Sequence, residues 1–412
     1  MKIRKKYLFY VLAFSSSIIA ALLSGVDVIL EQYLKNPFVL GLSIFYLGFI
    51  IALLLTLFLS ISYKGTTIGA RTIDPSFQKI RFPKKQEIKY HLLAGAGNAI
   101  LTFGYFWLLI LIKDPSLVLP FSQVVILYLV IIESITEKNT PTLVEIQSSV
   151  IVTLGAILGS ISLSGTINLE SLAIVFLIIN PGWVLQSIYQ RKLKMMKIGN
   201  RPNDSINIRL WNVTIACLFT MVFVLFYDYF TGANNFIESI NGSIKHFGWL
   251  SLVGIGTFFS YVFYIRALGI GKASITQAVK ASIIIFTIPV SIALAYFGFI
   301  DPISTEPVLI LIRVCGIILM LLGIISFALT LIKAYIFIKM KPGYPIEKTM
   351  KKLWDIKGVN RVTAVAGDYD FIVKIRTRTL VKGYERIIRK IEEVEGIKEF
   401  KWQSVLKDWE NI

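Results

Sequence analysis

Apolar residues fill the first four-fifths of this chain in stretches long enough to cross a bilayer. After about Lys333 they alternate with polar ones instead. A helix of about 18 or more apolar residues spans a hydrocarbon core roughly 30 Å thick. Length and hydropathy predict about ten such spans, near 7–33, 38–62, 90–112, 116–135, 143–163, 170–190, 205–229, 247–269, 273–299 and 306–331. The start, MKIRKKYLFYVLAF, has the basic opening of a signal peptide. No cleavage site followed by a polar mature segment is evident, so it reads as an uncleaved first helix.

Charge tests the count. Basic residues crowd before span one (Lys2, Arg4, Lys5, Lys6), between spans two and three (Lys64, Arg71, Lys79, Arg81, Lys84, Lys85, Lys89), and between six and seven (Arg191, Lys192, Lys194, Lys197, Arg201). The alternate loops are poor in base. Basic loops stay on the cytoplasmic side, so an even number of spans with both termini inside satisfies every loop. The net charge of +18 therefore reports membrane orientation rather than nucleic-acid binding. The only two cysteines, Cys217 and Cys315, lie inside apolar runs and read as buried thiols.

The chain repeats itself weakly. Residues 95–123 (GAGNAILTFGYFWLLILIKDPSLVLPFSQ) align with 254–282 (GIGTFFSYVFYIRALGIGKASITQAVKAS). Gly95 and Gly97 match Gly254 and Gly256, and Tyr105 matches Tyr264. After a one-residue gap the Lys113–Ser116 hairpin matches Gly271–Ser274. The two hairpins face opposite sides, so the repeat is inverted, five spans per half, an architecture common among secondary transporters. The second copy resembles the signature of the EamA-type drug/metabolite transporter superfamily: Gly-Thr opens a span, an aromatic run ends in Arg-Ala-Leu, and a short turn leads to a small-residue helix. Glu133 in IIESITEK is similar to that family's acidic residue in the first half; YFGFID lacks it in the second. The resemblance, over residues 7–331, implies ten helices around a central cavity and alternating access for a small metabolite, often an amino acid and often outward.

Ionisable side chains within hydrocarbon usually face a cavity or protein. Lys280, about 10 Å along its span from the inner end, reads either as a partner for a substrate carboxylate or as a lysine snorkelling to the interface. Gln277 shares its face. Arg266 reads as a snorkelling residue and Arg313 as structural. Asp27 reads as hydrated or as a proton-coupling group. Asn180-Pro181-Gly182-Trp183 places a proline near mid-membrane, either a kink or a broken helix lining a site. Asn98, Tyr105, Trp107, Ser122 and Gln123 are polar or aromatic groups at cavity depth, or helix–helix contacts. Substrate-binding candidates are thus Lys280, Gln277, Asn98, Tyr105, Gln123, Asn180 and Trp183. No phosphate loop precedes a helix, and the two histidines form no metal pattern, so neither cofactor nor metal is expected.

The tail has its own rhythm. AYIFIKM alternates as a strand. A helix carries Ile346, Met350 and Leu353 on one face. VNRVTAVAG and DYDFIVKIR read as strands, with Tyr369, Phe371, Val373 and Ile375 on one face. A second helix and a last strand at about 397–408 complete βαββαβ, a ferredoxin-like α+β layer. Gly358-Val359, Ala366-Gly367-Asp368-Tyr369-Asp370 and Glu395-Gly396-Ile397 resemble the effector domain of the Lrp/AsnC regulators. That resemblance implies dimerisation through the sheet and amino-acid binding, with Gly367, Asp368, Tyr369 and Asp370 at the ligand. A plain turn is the alternative. The usual helix-turn-helix is absent, with a membrane helix in its place, which argues against direct DNA regulation.

The expected organisation is an α-helical polytopic membrane protein with domains at 1–164, 165–332 and 333–412. The expected function is a prokaryotic cell-membrane transporter, in the exporting direction, for an amino acid or similar metabolite. A cytoplasmic, dimerising tail would regulate it. The alternative is a membrane-anchored receptor. No catalytic constellation supports an enzyme.

Overall fold

The computed structural model describes residues 5–112, 123–136, 143–159, 169–199, 201–300, 306–329, 331–356, 358–378 and 383–404. They fall into two compact units, one within 1–139 and 149–322, the other within 140–148 and 323–412.

The chain passes through helices α1 (Lys5–Tyr33), α2 (Pro37–Leu59), α3 (Ile68–Thr72), α4 (Lys85–Ile112), α5 (Val125–Thr136), α6 (Leu143–Gly159), α7 (Leu169–Ile174), α8 (Asn180–Met195), α9 (Ser205–Thr231), α10 (Asn235–Lys245), α11 (Phe247–Leu268), α12 (Ala273–Lys280), α13 (Ile283–Tyr296) and α14 (Pro307–Leu329). Two tiny hairpins, β1–β2 (Ser62–Tyr63, Thr66–Thr67) and β3–β4 (Lys197–Ile198, Arg201–Pro202), punctuate the loops. Among the described residues six helical stretches are long and apolar enough to cross a membrane: 7–33, 37–59, 85–111, 205–231, 247–268 and 273–296. The chain is therefore read as membrane-embedded. The expected spans at 116–135, 143–163, 170–190 and 306–331 are not among these six, and the 113–116 hairpin and Ser122 lie outside the described residues.

Caps start and stop these helices. Asn36 accepts the Phe38 N–H ahead of Pro37 at the start of α2, and Asp204 accepts the Asn207 N–H at the start of α9. Gly232 ends α9 at φ +70°, donating to Asp228 O, as a left-handed cap requires. Two expected spans are interrupted. Between α7 and α8 a π-turn, Val175–Ile179, precedes the proline, so the missing Pro181 donor falls where the helix is locally under-wound. The 273–299 span breaks at Ala281–Ser282, where Ser282, Ile284 and Ile285 donate to carbonyls three residues back. A similar tight turn at Gln123–Val124 opens α5. The sequence repeat pairs these two turns with each other.

The glycines that the sequence repeat matches lie at close helix contacts. A Cβ on Gly95 would lie 2.5 Å from Ile215 of α9, and one on Gly254 would lie 2.6 Å from Ile51 of α2. Gly97 meets the α8 backbone at Gln186 N and Gly182 O, each at 2.7 Å; Gly256 meets Leu23 of α1 at 2.7 Å. Small residues let membrane helices approach this closely. Cys217 is buried, but Cys315 is exposed rather than packed inside.

The second unit holds β5 (Leu331–Met340), α15 (Ile346–Trp354), β6 (Val359–Ala364), β7 (Phe371–Arg378), α16 (Gly383–Glu392) and β8 (Ile397–Ser404). The sheet order is β6-β7-β5-β8, all antiparallel, consistent with a ferredoxin-like layer. Ile336, Ile338, Phe371, Val373 and Ile375 cover one face against Leu353, Ile387 and Ile391. Tyr369 departs from the expected face. It precedes β7, and its ring lies 5.5 Å from Phe337, on the opposite side of the sheet from Ile336 and Ile338. Ile346 is likewise exposed, and Thr349 takes its place on the buried side of α15.

Candidate functional site

A cavity of about 150 Å³ opens inside the helical unit, walled by α1, α2, α4, α8, α9, α11 and the α12–α13 break. Most of its wall is apolar, from residues such as Leu23, Phe45, Phe106 and Val253. Its polar groups converge from helices far apart in sequence.

Lys280, 5% exposed, ends α12 immediately before the break. Its Nζ lies 4.4 Å from the centre of the Trp183 ring, 4.5 Å from Tyr264 and 5.3 Å from Tyr261. Each such contact is worth about 0.5–2 kcal/mol and leaves the charge unneutralised. Tyr264 is held by a 2.8 Å hydrogen bond with Ser187, so part of the cage is fixed from α8. Gln277, one turn earlier, donates to Gln123 Oε1 at 3.4 Å, joining α12 to the turn that opens α5. Asn98 donates to Asn212 at 3.1 Å, and the Tyr105 hydroxyl donates to Asp27 Oδ2 at 3.3 Å. Lys280, Gln277, Asn98, Tyr105, Gln123 and Trp183 all line the cavity. Asn180 does not. It is fully buried with neither side-chain oxygen nor nitrogen bonded, because the π-turn presents Ile179 and Trp183 to the cavity instead.

Sequence reasoning missed Arg209. It lines the cavity, is 4% exposed, and places its guanidinium carbon 4.3 Å from the Tyr261 ring centre. Four residues into a predicted span it resembles an ordinary flanking arginine, and only the three-dimensional neighbours distinguish it.

Two polar knots flank the cavity helices. Glu133 accepts the Ala273 N–H at 2.7 Å, the Ser274 N–H at 3.1 Å and the Ser274 hydroxyl, and lies 3.5 Å from Arg191. It thereby supplies acceptors to the N-terminus of α12, where a carboxylate is also favoured by the helix dipole. The second knot ties the loop after α2 to the segment before α9. Arg81 grips Glu87 with two bonds, at 2.6 and 2.8 Å, and Asn203 donates to the same carboxylate at 2.7 Å. Lys194 reaches Asp74 at 2.7 Å. Burial would raise the Asp74 pKa, but Lys194 and the N–H groups of Ser205 and Ser76 outweigh it and hold the carboxyl down to about 2. A depressed carboxyl contributes stability that is present above the ordinary value near 4 and lost as pH falls through about 2. Asp74→Asn is therefore expected to cost about 2 kcal/mol at pH 7 and much less at pH 2.5. Unfolding of wild type and variant at the two pH values checks this.

In the second unit, Gly367 adopts φ +148° with open space around it, and Asp368 is exposed. Asp370 is engaged within the fold. Its carboxylate accepts the Met340 N–H at 2.6 Å where the β5–β8 register shifts, and its own N–H donates to Ile338 O. Gly396 combines φ +95° with a Tyr344 ring so close that a Cβ would lie 2.5 Å from it.

Residues 333–410 match the family model described as the Lrp/AsnC ligand binding domain. The Lrp/AsnC domain thus accounts for the whole second-unit sheet and both of its helices. Domains of that family typically bind small amino-acid ligands and dimerise. No curated protein matches the chain. One solved structure, described as "Crystal structure of protein", overlays 78% of this chain and 95% of its own, with a TM-score of 0.44 and 13% identity.

Proposed function

We infer that the protein is a secondary transporter that moves an amino acid or similar small metabolite by alternating access, in the exporting direction, with its Lrp/AsnC domain acting as a dimerising amino-acid sensor. The observation that carries this reading is the buried, aromatic-caged Lys280 at a helix break, facing a cavity among helices long enough to span a membrane. Broken helices at a central cavity are how many transporters expose backbone and polar groups to substrate. Matched tight turns at 123–124 and 281–282, and matched glycines at close helix contacts, support ten helices in two inverted EamA-like repeats, 1–164 and 165–332. The basic loops support cytoplasmic termini in a prokaryotic cell membrane. On this reading the protein is not an enzyme and uses no cofactor.

The Lrp/AsnC domain begins almost where the last helix ends: α14 stops at Leu329 and β5 starts at Leu331. A ligand controls transport only if it binds one transport state better than the other. Reconstituted full chain and a chain ending at 332 are to be compared for export of labelled amino acids over a range of internal concentrations. A concentration dependence that disappears with the tail supports regulation. Equal rates at every concentration remove it. Tight binding by the full chain with no flux for any metabolite favours the receptor.

A further inference from the structure

We propose that the cavity is a site for organic anions, in which Arg209 and Lys280 together take a carboxylate of the substrate. This deepens the transport reading and rests on it for its physiological role, narrowing the substrate to carboxylates of net negative charge.

Both cations are buried, both line the cavity, and both lie over one ring. Arg209 Cζ is 4.3 Å and Lys280 Nζ 5.3 Å from the centre of Tyr261. Arg209 Nε and Nη1 have no hydrogen-bond partner. A guanidinium stays charged inside proteins, and a buried charge without an anion is costly. Of the described carboxylates, Asp27 lines the cavity, and Glu133, Asp74 and Asp204 are committed elsewhere. Glu133 serves the α12 N-terminus and Arg191. Asp74 holds Lys194, and Asp204 caps α9 and lies 4.0 Å from Arg81. Asp27 lines the same cavity as the two cations. It also accepts the Tyr105 hydroxyl.

The aromatic faces of Trp183, Tyr261 and Tyr264 steady the lysine without cancelling its charge. The unbonded Nε and Nη1 of Arg209 can each donate to an anion oxygen, of a carboxylate or of a phosphate, and the phosphate probe below separates the two. Two cations against one carboxylate on the cavity wall favour an occupant with a surplus negative charge.

The test is equilibrium binding to the full chain in detergent, with L-glutamate, L-glutamine, succinate, L-lysine and inorganic phosphate as probes. Glutamate and succinate are expected to bind at least about tenfold tighter than glutamine or lysine. Arg209→Gln and Lys280→Met are each expected to lose at least about tenfold for the two anions, and Arg209→Lys to recover part of it. Binding at the Lrp/AsnC domain persists in these variants and so separates from the cavity component. Should Arg209→Gln fail to fold, Arg209→Lys and Lys280→Met carry the comparison. Glutamine binding as well as glutamate, phosphate binding tighter than both, no cavity component for any probe, or folded variants with unchanged affinity would overturn the proposal. Anion binding without liposome flux leaves it standing and removes the transport reading. Flux of neutral amino acids alone, untouched by the variants, does the reverse.

Discussion

Replacing Lys280 by methionine is expected to weaken substrate affinity by about 10- to 100-fold, the loss of roughly 1.4–2.8 kcal/mol, while leaving the fold intact or firmer. The two halves of that prediction come from one observation. The ammonium is buried among Trp183, Tyr261 and Tyr264 and forms no ion pair with a described residue. Replacing an unpaired buried charge with an apolar side chain of similar length is neutral or stabilising. A lysine kept for packing would show the opposite pattern, with lost stability and unchanged affinity. Half-saturation of flux and the thermal midpoint, read on the same preparation, separate the two. Lost stability with native affinity returns Lys280 to a structural role.

Gly182→Val is expected to destabilise the helical unit by about 3 kcal/mol or more. A Cβ at Gly182 would meet Leu101 N at 2.8 Å, Gly97 O at 2.9 Å and Leu101 Cβ at 2.9 Å. Two of these are backbone atoms, which cannot swing aside, so α4 and α8 must separate. Gly248→Ala is the matched control, since nothing lies within 4 Å of its added carbon. It is expected to be neutral or stabilising by up to about 1 kcal/mol. Thermal unfolding of the two variants beside wild type checks the contrast. A Gly182→Val protein as stable as Gly248→Ala would show that this approach is not a tight one.

Much of this was legible in the sequence because hydrocarbon and water impose different patterns. Six membrane-length helices and the βαββαβ order follow from run length and alternation. Lys280 and Gln277 were legible because a polar face inside an apolar run needs a reason. The break at Ala281–Ser282 was not, since neither residue is a proline or glycine and the turn is set by tertiary contacts. Asn180 was misplaced because the π-turn rotates the following helix away from the register that a regular helix would give. Tyr369 was misplaced because Gly367, at φ +148°, and the turn after it delay the strand to Phe371. Arg209 was overlooked because depth alone does not separate a flanking arginine from one turned onto a cavity ring. Asp370 looked like a ligand group, yet it supplies the acceptor that a β5 amide lacks at the register shift.

The central claim is movement of a small metabolite through the cavity. Solute counterflow in proteoliposomes measures it most directly. Vesicles loaded with unlabelled L-glutamate are predicted to accumulate labelled L-glutamate transiently, in a wild-type signal that Lys280→Met and Arg209→Gln suppress. Vesicles in which no amino acid or carboxylate, glutamate included, exchanges across the membrane, although the full chain binds amino acids tightly, would contradict the account.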